Sequence, residues 1–394
     1  MKHGWKRIKF AEAFELQMGK TPSRDNPSFW NGVFPWVSIS DLKGKYIRNT
    51  KEQITDKALE CGINKVHKGT VIMSFKLTVG RAAIADCDLY TNEAIMSFVP
   101  KPGYDILTDY LYYYLRGHKW IGANKAVMGQ TLNKKSISDN VFVLPPLPVQ
   151  EQICSLLDKM NRVIEAKKEQ LKELDNLAQA IFYDMFGDPV ENNRGWGSRP
   201  ISSIGELSRG VSKHRPRNAP ELLGGTMPLL QTGDVSNSGM YIRDYTSTYS
   251  ELGILQSRVW HKGTLCITIA ANIGKCSILT FDACFPDSIV GFIPFDNVLV
   301  EYMFFAFSAI QKTLEENAMG VAQKNINLAI LNQLVLAVPP LDKQQAFAEK
   351  VEAIERQKEL INQSLREVQT LFDSRMDYWF SEEDDDFGQL DKLD

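Results

Sequence analysis

Two eight-residue phrases in this sequence are nearly identical and lie 194 positions apart. The first is HKGTVIMS at 67–74, and the second is HKGTLCIT at 261–268. Other pairs at the same offset are IMSFVP (95–100) with IVGFIP (289–294), and LPPLPVQ (144–150) with VPPLDKQ (338–344). Repeats of about 20–50 residues are typical of solenoids, so an offset of this size indicates duplication of whole domains. The 394-residue chain is therefore predicted to contain two homologous halves.

Each half changes character once, at its Pro-Pro pair. Short β-rich runs and aromatic helical stretches precede the pair, whereas the residues after it repeat apolar side chains every three or four positions. These seam positions are Ile153, Leu157, Met160, Ile164, Lys167, Leu171, Leu174, Ala178, Ile181 and Met185, then Phe347, Val351, Ile354, Lys358, Ile361, Leu365, Val368, Phe372, Arg375 and Trp379. Such spacing predicts a coiled coil. Packing of each helix on its own globular domain is the alternative.

These patterns predict an α+β fold. Two homologous mixed α/β domains would be separated by two long helices that form an antiparallel coiled coil with pseudo-twofold symmetry. The helix at 149–185 would span roughly 55 Å. Two similar heads at a fixed separation suit a bipartite target, and DNA presents equivalent groove faces every ~34 Å.

The charge is distributed unevenly along the chain, although the formal net charge is only −3. Residues 1–145 hold 21 Lys and Arg against 13 Asp and Glu, a net charge of +8, whereas residues 341–394 carry −8. Residues 190–340 are neutral overall, with the basic cluster RGVSKHRPR at 209–217. The first head is therefore basic enough to attract phosphates, and the basic cluster is either a DNA-facing loop or a solvated one.

Motifs for catalysis or metal binding are missing from the sequence. Neither a phosphate-binding G-x-x-x-x-G-K-[ST] nor a dinucleotide-binding G-x-G-x-x-G is present, and neither Pro-Pro pair has the flanking residues of an amino-methyltransferase. Pro286-Asp287 hints at a nuclease carboxylate, but no acidic-x-Lys partner follows, which favours a turn. His67 and His261 lack partners at metal spacing, so each is interpreted as part of a turn before a buried strand.

Location is predicted from three further features. The start MKHGWKRIKF lacks the apolar core of a signal peptide, and no stretch is apolar enough to cross a membrane. The six cysteines form no C-x-x-C pair. We therefore expect a cytoplasmic protein with reduced thiols and no membrane partner.

The order of these features resembles the specificity subunit of Type I restriction–modification systems. The landmarks in the first half are GKTPS at 19–23, PWV at 35–37 with Asp41, and GTV at 69–71 followed by Gly80. Those in the second half are PLL at 228–230 with Asp234, and GTL at 263–265 followed by Gly274. The second half departs from this pattern, because RGVS at 209–212 stands in place of GKTPS and Gln344-Gln345 in place of Q-E-Q.

The resemblance implies target recognition domains at 1–147 and 188–341, spacer helices at 148–187 and 342–380, and an acidic disordered tail at 381–394. Each recognition domain would read one half of an asymmetric double-stranded DNA site. Two methyltransferase subunits would dock on the helices, and a restriction/translocase subunit would join them. S-adenosylmethionine, ATP and Mg²⁺ would belong to these partners, so the chain itself is expected to hold no cofactor or metal and to catalyse nothing.

Candidate DNA contacts are Lys, Arg, Asn, Gln and small hydroxyl residues in polar loops, because these side chains reach phosphates and base edges. In the first half they are Lys20, Ser23, Arg24, Lys43, Lys76, Arg81, Asn92, Gln130, Asn133, Lys134 and Lys135. In the second half they are Arg209, Lys213, Arg215, Arg217, Gln231, Asn272, Lys275, Gln323, Lys324 and Asn325.

Two other classes of function remain open from the sequence. A self-contained DNA-modifying enzyme would need the cofactor motifs that are missing, and labelled S-adenosylmethionine with DNA would detect it. A protein-only coiled-coil scaffold would have no need for two heads with different loops, and it would bind no DNA in a gel-shift experiment.

Overall fold

The computed structural model describes residues 5–122, 124–126, 129–270, 273–319 and 328–380. The chain divides into two compact units: the first takes in the described residues of 1–167 and 363–394, and the second those of 168–362. Each unit therefore contains one head and one part of each long helix.

The first head is built from short strands and four short helices among its described residues. The strands are β1 (Lys6–Lys9), β2 (Phe14–Met18), β3 (Trp30–Val37), β4 (Tyr46–Ile47), β5 (Glu52–Ile54), β6 (Val71–Ser74), β7 (Lys76–Leu77), β8 (Ala82–Ala85), β9 (Tyr90–Thr91), β10 (Ile95–Pro100), β11 (Asn124–Ala126), β12 (Gly129–Thr131) and β13 (Val141–Leu144). The helices are α1 (Phe10–Ala13), α2 (Asp56–Leu59), α3 (Thr108–Gly117) and α4 (Lys134–Asp139), with 3-10 turns at Pro27–Phe29 and Ile39–Asp41.

A five-stranded sheet of order β2-β10-β6-β8-β4 forms the centre of this head. Its neighbours pair antiparallel except β4 and β8, which are parallel. Every residue of β6 and β8 is buried, since α3 covers one face, and Val37, Leu42, Val66 and Leu89 cover the other. Continuous apolar runs such as VIMS and AAIA are what a strand covered on both faces requires.

The second head repeats this architecture. Its strands are β14 (Gly197–Pro200), β15 (Gly205–Arg209), β16 (Leu223–Leu229), β17 (Tyr241–Ile242), β18 (Ser247–Tyr249), β19 (Val259–Trp260), β20 (Leu265–Thr268), β21 (Cys276–Leu279), β22 (Ala283–Cys284), β23 (Ile289–Pro294) and β24 (Val335–Val338). The helices are α6 (Thr232–Asn237), α7 (Glu251–Leu255), α8 (Val300–Met319) and α9 (Leu328–Gln333), with 3-10 turns at Ile201–Ser203 and Pro220–Leu222.

The central sheet of the second head has the order β15-β23-β20-β21-β17, and its edge strand β17 is again parallel to its neighbour. Each strand of this central sheet matches its counterpart in the central sheet of the first head, including the one parallel pairing within the sheet. The two halves therefore share one mixed-sheet topology, as the duplication predicts.

The two long helices are α5 (Leu147–Phe186) and α10 (Leu341–Phe380), and they run antiparallel where they meet. In the second unit Phe186 packs against Phe347, at ring centroids 5.3 Å apart, while the earlier Asp175 meets the later Lys358. Their buried apolar residues join the core of each head, so the helices pack on each other and on the heads. No described helix carries an apolar stretch long enough to cross a bilayer.

The seam differs from the sequence prediction near the end of α10. Arg375 is exposed and Trp379 is half-buried, whereas Met376 and Phe380 are buried. An α-helix drifts by about 20° per heptad from a strict seven-residue repeat, which moves the buried face by one position over several turns. Phe380 also packs on Tyr110 and Tyr114 of the first head, so contacts with the head decide which residues are buried there.

The seam lysine Lys358 is compensated by two carboxylates. Its Nζ lies 2.7 Å from Asp175 Oδ1 and 2.5 Å from Glu355 Oε1. Burial alone would lower the pKa of Lys358, but the hydrogen bonds that its ammonium donates to both carboxylates raise it overall. Because an off-register pairing would remove the Asp175 contact from this half-buried charge, Lys358 favours one register of the two helices.

A buried glutamine at the start of each long helix ties the head to the helix. Gln150 accepts the N–H of Leu107 through Oε1 at 2.9 Å, and its Nε2 donates to the carbonyls of Asp105 and Pro145. Gln344 repeats this arrangement, accepting from Leu299 and donating to Asn297 and Pro339. Both side chains are fully buried. The glutamine of each Pro-Pro phrase therefore supplies the hydrogen bonds of three main-chain groups.

Candidate nucleic-acid interface

The repeated His-Lys-Gly-Thr phrase forms a turn that leads into a buried strand in each head. The N–H of Thr70 donates to the carbonyl of His67 at 3.1 Å, and Gly69 has a φ of 86°. In the second head Thr264 donates to His261 at 3.1 Å, and Gly263 has a φ of 88°. A positive φ at the third position of a turn favours glycine, which explains the repetition.

One aspartate stabilises each of these turns. Asp88 accepts the N–H of Lys68 at 3.0 Å, and Asp282 accepts the N–H of Lys262 at 2.9 Å. The hydrogen bond from the Lys65 side chain, and then that from the Lys68 N–H, lowers the pKa of Asp88. The turn interpretation is confirmed. Within the described ranges no group of three or more His, Cys, Asp or Glu residues is arranged to hold a metal ion.

The candidate DNA loops leave the opposite end of each central sheet. This end, which we call the loop end, is where β2 and β6 finish and β10 begins in the first head. In the second head it is where β15 and β20 finish and β23 begins. The His-Lys-Gly-Thr turn precedes β6 or β20 and therefore lies at the other end of the strand.

The same main-chain bonds anchor the loop that follows the first sheet strand in both heads. Gly19 N–H donates to Ile95 at 3.2 Å and Lys20 N–H to Thr91 at 2.8 Å. Their counterparts, Gly210 and Val211, donate to Ile289 at 2.9 Å and Phe285 at 3.0 Å. The acceptors are 194 positions apart, as the repeat requires.

Both anchor positions need glycine because the backbone approaches closely. A Cβ built on Gly19 would lie 2.3 Å from the carbonyl oxygens of Thr91 and Asn92, and one on Gly210 would lie 2.3 Å from that of Phe285. Real Cβ atoms do not approach backbone oxygens so closely. These glycines therefore fix where each loop leaves its sheet.

The structure brings Lys20, Ser23 and Asn92 together at the loop end of the first head. Trp36 Nε1 donates to the Lys20 carbonyl at 3.2 Å, and Trp30 Nε1 donates to the Ser23 carbonyl at 3.1 Å. The Lys20 ammonium donates to the carbonyl of Cys61 at 2.5 Å, while Lys20 N–H bonds the Thr91 carbonyl beside Asn92. Main-chain bonds thus place this loop and leave its polar side chains at the surface.

Arg24 has a different environment from the other candidates. Its guanidinium forms a two-pronged ion pair with Glu52 and lies 4.0 Å from the Trp30 ring centroid and 5.0 Å from that of Trp36. The hydrogen bond to Glu52 raises the pKa of Arg24. A guanidinium held by a carboxylate and two indoles has fewer donors left for DNA, so Arg24 supports the conformation of the loop although its side chain is exposed.

A second group of candidates lies on the hairpin and strand beside this loop. Lys76 pairs with Thr131 of β12, and Arg81 closes the hairpin through its carbonyl to Ser74 N–H at 2.9 Å. Asn133 caps α4 by accepting from Ser136 at 2.9 Å, and the next two residues, Lys134 and Lys135, are exposed. The backbone of Gln130 lies in β12, but its side chain is outside the described part of the structure. Among the described contacts, none joins the Lys43 side chain to these residues.

The second head gathers Lys213, Arg215 and Arg217 in the loop that follows Gly210. Lys213 N–H donates to the carbonyl of Gln256 at 3.3 Å, and the Arg215 guanidinium donates to the Ser212 carbonyl at 2.5 Å. Arg217 donates to Asp287 Oδ1 at 2.5 Å.

The remaining candidates of the second head lie at or next to a strand, next to a helix, or outside the described residues. Arg209 ends β15 next to the loop, and Lys275 is exposed at the position that matches Arg81. Gln231 caps the start of α6, and its N–H donates to Asp234 at 2.7 Å. Asn272, Gln323, Lys324 and Asn325 lie outside the described residues.

Both halves of the chain match the same protein family. A model of the Type I restriction modification DNA specificity domain matches residues 2–176 and 193–370. The chain belongs to this family. Each half is one specificity domain, and the long helices α5 and α10 complete the architecture.

Known relatives and solved structures agree with this assignment. The MjaIX specificity subunit of Methanocaldococcus jannaschii, a Type I restriction enzyme subunit, is 27% identical over 240 residues, which are 55% of this chain and 54% of that protein. The chain thus aligns with about half the length of this relative. A Type I S subunit from M. genitalium has a TM-score of 0.53 at 14% identity, with 95% of each chain covered.

Another solved structure, from work on assembly and conformational transition of the type I R-M system, has a TM-score of 0.58 at 15% identity, with 97% of this chain and 99% of that chain covered. At such low identities the likeness concerns the fold alone.

Two contacts within the specificity domains were not predicted from the sequence. In the first domain Lys45 joins head and helix, with Nζ 2.7 Å from Asp158 of α5 and 3.0 Å from Asp109. In the second, the Arg258 guanidinium lies 3.9 Å from the Trp260 ring centroid. The Lys45 contacts have no signal in local sequence, because its partners are 64 and 113 positions away.

Proposed function

We propose that this chain is the DNA-specificity subunit of a Type I restriction–modification complex, and that each specificity domain reads one half of a bipartite asymmetric DNA site. The observation that carries the proposal is that the two domains share one sheet framework but carry different loops. The sheets and the Gly19 and Gly210 anchors match, whereas the loops that follow, KTPSRDN and VSKHRPRN, differ. A protein that reads two different sequences needs one scaffold and two reading surfaces.

The chemistry of the loop ends supports double-stranded DNA as the target. Exposed lysines such as Lys134 and Lys135 suit phosphates, and Asn, Gln and Arg side chains suit base edges. The net charge of +8 over residues 1–145 favours association with a polyanion.

The long helices would set the interval between the two half-sites and dock two methyltransferase subunits, which a restriction/translocase subunit would join. In this proposal S-adenosylmethionine, ATP and Mg²⁺ are held by those partners. The present chain recognises DNA in the cytoplasm and performs no chemical step. Its family membership and the missing cofactor motifs support this division of labour.

The proposal is tested by selecting DNA from a randomised duplex pool with the full chain in complex with its methyltransferase. We expect two short sequence blocks that differ from each other and lie at a constant interval, because the loops differ and the helices are continuous. Recovery of one uninterrupted block, or of no enriched sequence, would contradict the proposal.

The exposed lysines of α4 provide a more local prediction. Lys134→Glu combined with Lys135→Glu should weaken binding of the selected duplex about tenfold or more at low salt, and should make log Kd less dependent on log salt concentration by up to about two units. Fluorescence anisotropy titrations at several salt concentrations measure both quantities.

The matched control carries the same change of charge at the other end of the same sheet. Lys68 precedes β6 and Lys101 follows β10, so Lys68→Glu combined with Lys101→Glu alters the net charge equally but away from the loop end. Equal losses of affinity in the two double variants would remove α4 from the interface.

A further inference from the structure

One carboxylate occupies the same place in both specificity domains, at the loop end of the central sheet. Glu93 follows the anchor acceptor Thr91 by two residues, and Asp287 follows the anchor acceptor Phe285 by two residues. The two acids are 194 positions apart, which is the offset of the whole duplication. They are thus the same structural position in two heads.

Each carboxylate holds the loop whose sequence differs between the heads. Glu93 accepts a hydrogen bond from the Thr21 hydroxyl, two residues after Gly19. Asp287 accepts from Arg217 at 2.5 Å, and its other oxygen lies 3.8 Å from Arg215. The loops have diverged in length and composition, but both reach back to the same acid.

Asp287 stands among cations that could otherwise bind phosphates. The hydrogen bond from Thr21 lowers the pKa of Glu93, and the charges of Lys76 and Arg24 lower it further. Glu93 is therefore ionised at neutral pH. Asp287 is 41% exposed and directly neutralises Arg217. A loop selected only for affinity would bind DNA more tightly without such a carboxylate, because each carboxylate repels the backbone phosphates.

We propose that Glu93 and Asp287 enforce sequence specificity in their respective domains by holding the adjacent loop in the orientation needed to read bases, and that Asp287 also keeps Arg215 and Arg217 away from nonspecific phosphate contacts. This inference rests on the proposed function and adds residues to it. Phosphate contacts carry no sequence information, so a group that weakens them lowers affinity for all DNA while raising discrimination. They are positioning residues, because they act on DNA through the loop.

Asp287→Asn tests the proposal in the second domain. The variant keeps the size of the side chain but removes its charge, so Arg215 and Arg217 become available to phosphates. We expect affinity for a scrambled duplex to rise about threefold to fivefold, which is the upper part of the range that ion pairs between exposed side chains contribute. Affinity for the selected duplex should change by less than about twofold, so the specificity ratio should fall.

Asp282→Asn is the matched control, since it removes the same charge from the same domain. Asp282 is 48% exposed and lies at the turn before β20, and an asparagine there can still accept the Lys262 N–H. In the first domain Glu93→Gln and Asp88→Asn form the equivalent pair at the same offset of 194. The full chain in complex with its methyltransferase is titrated with both duplexes at two salt concentrations.

The outcomes separate this inference from the proposed function. Wild-type protein that does not distinguish the selected duplex from the scrambled one would contradict the proposed function. Wild-type discrimination with an unchanged ratio in Asp287→Asn and Glu93→Gln, relative to their controls, would overturn only the present inference. Loss of preference at a single base pair, with unchanged affinity for scrambled DNA, would also overturn it, because the carboxylate would then contact that base directly.

Discussion

Gln150→Leu is expected to lower the free energy of unfolding of the first unit by about 3–5 kcal/mol. The leucine fits a similar volume but leaves the N–H of Leu107 and the carbonyls of Asp105 and Pro145 without their partner. A buried polar group that loses its hydrogen bond costs about 1–3 kcal/mol. Native proteins are stable by only about 5–15 kcal/mol, so the loss is a large share of the total.

Urea unfolding, followed by tryptophan fluorescence, measures this loss as a transition at lower denaturant concentration, earlier by about 1–2 M. Gln344→Leu should have the same effect in the second unit, because Gln344 binds Leu299, Asn297 and Pro339 in the same way. The controls are Gln152→Leu and Gln345→Leu, at exposed positions of the same helices. Transitions that remain at the wild-type urea concentration in both buried variants would show that the glutamines do not fasten the helices to the heads.

Gly19→Ala should abolish most DNA binding by the first domain while leaving the central sheet folded. The added Cβ would meet main-chain oxygens of Thr91 and Asn92 at 2.3 Å, and these belong to a strand and turn that cannot yield easily. Overpacking of this kind costs about 1–3 kcal/mol. The strain is relieved if the Gly19 and Lys20 hydrogen bonds break, which frees the loop. We therefore expect the affinity for the selected duplex to fall about tenfold or more.

Gly210→Ala is the equivalent change in the second domain, and its effect should fall on the other half-site. Binding to duplexes in which one half-site is scrambled assigns each loss to one half. Gly44→Ala and Gly197→Ala are suitable controls, because a Cβ there meets nothing closer than 3.9 Å and neither glycine has a positive φ. If the Gly19→Ala and Gly210→Ala variants bound both half-sites as the wild type does, the two glycines would not position the loops that follow them.

The duplication and the long helices are visible in the sequence because they rest on local signals repeated at one offset. The heptad seam of the two long helices was predicted correctly except in the last turn of α10. There Met376 and Phe380 are buried because they pack in the aromatic core of the first head. The mixed order of the sheet, with one parallel edge strand, has no local signature either. It follows from which strands meet, and that depends on residues far apart in the chain.

The candidate site was likewise predictable only in part. That Lys134 and Lys135 are exposed follows from a polar run, and the capping role of Asn133 agrees with its residue type. The pairing of Arg24 with Glu52 and two tryptophans could not be read from the sequence, since side-chain identity alone does not reveal which partner an arginine finds. The acids Glu93 and Asp287 were missed as loop-holding residues for the same reason.

The anchoring of both reading loops through main-chain atoms bears on how such a chain changes over time. Gly19, Lys20, Gly210 and Val211 hold their loops through backbone N–H groups, and three of these four bonds are 3.0 Å or shorter. Apart from the two glycines, mutation can therefore change side chains in either loop without breaking these main-chain bonds. Under the proposed function, each half of the chain could therefore acquire a new DNA preference independently of the other, at little cost to folding.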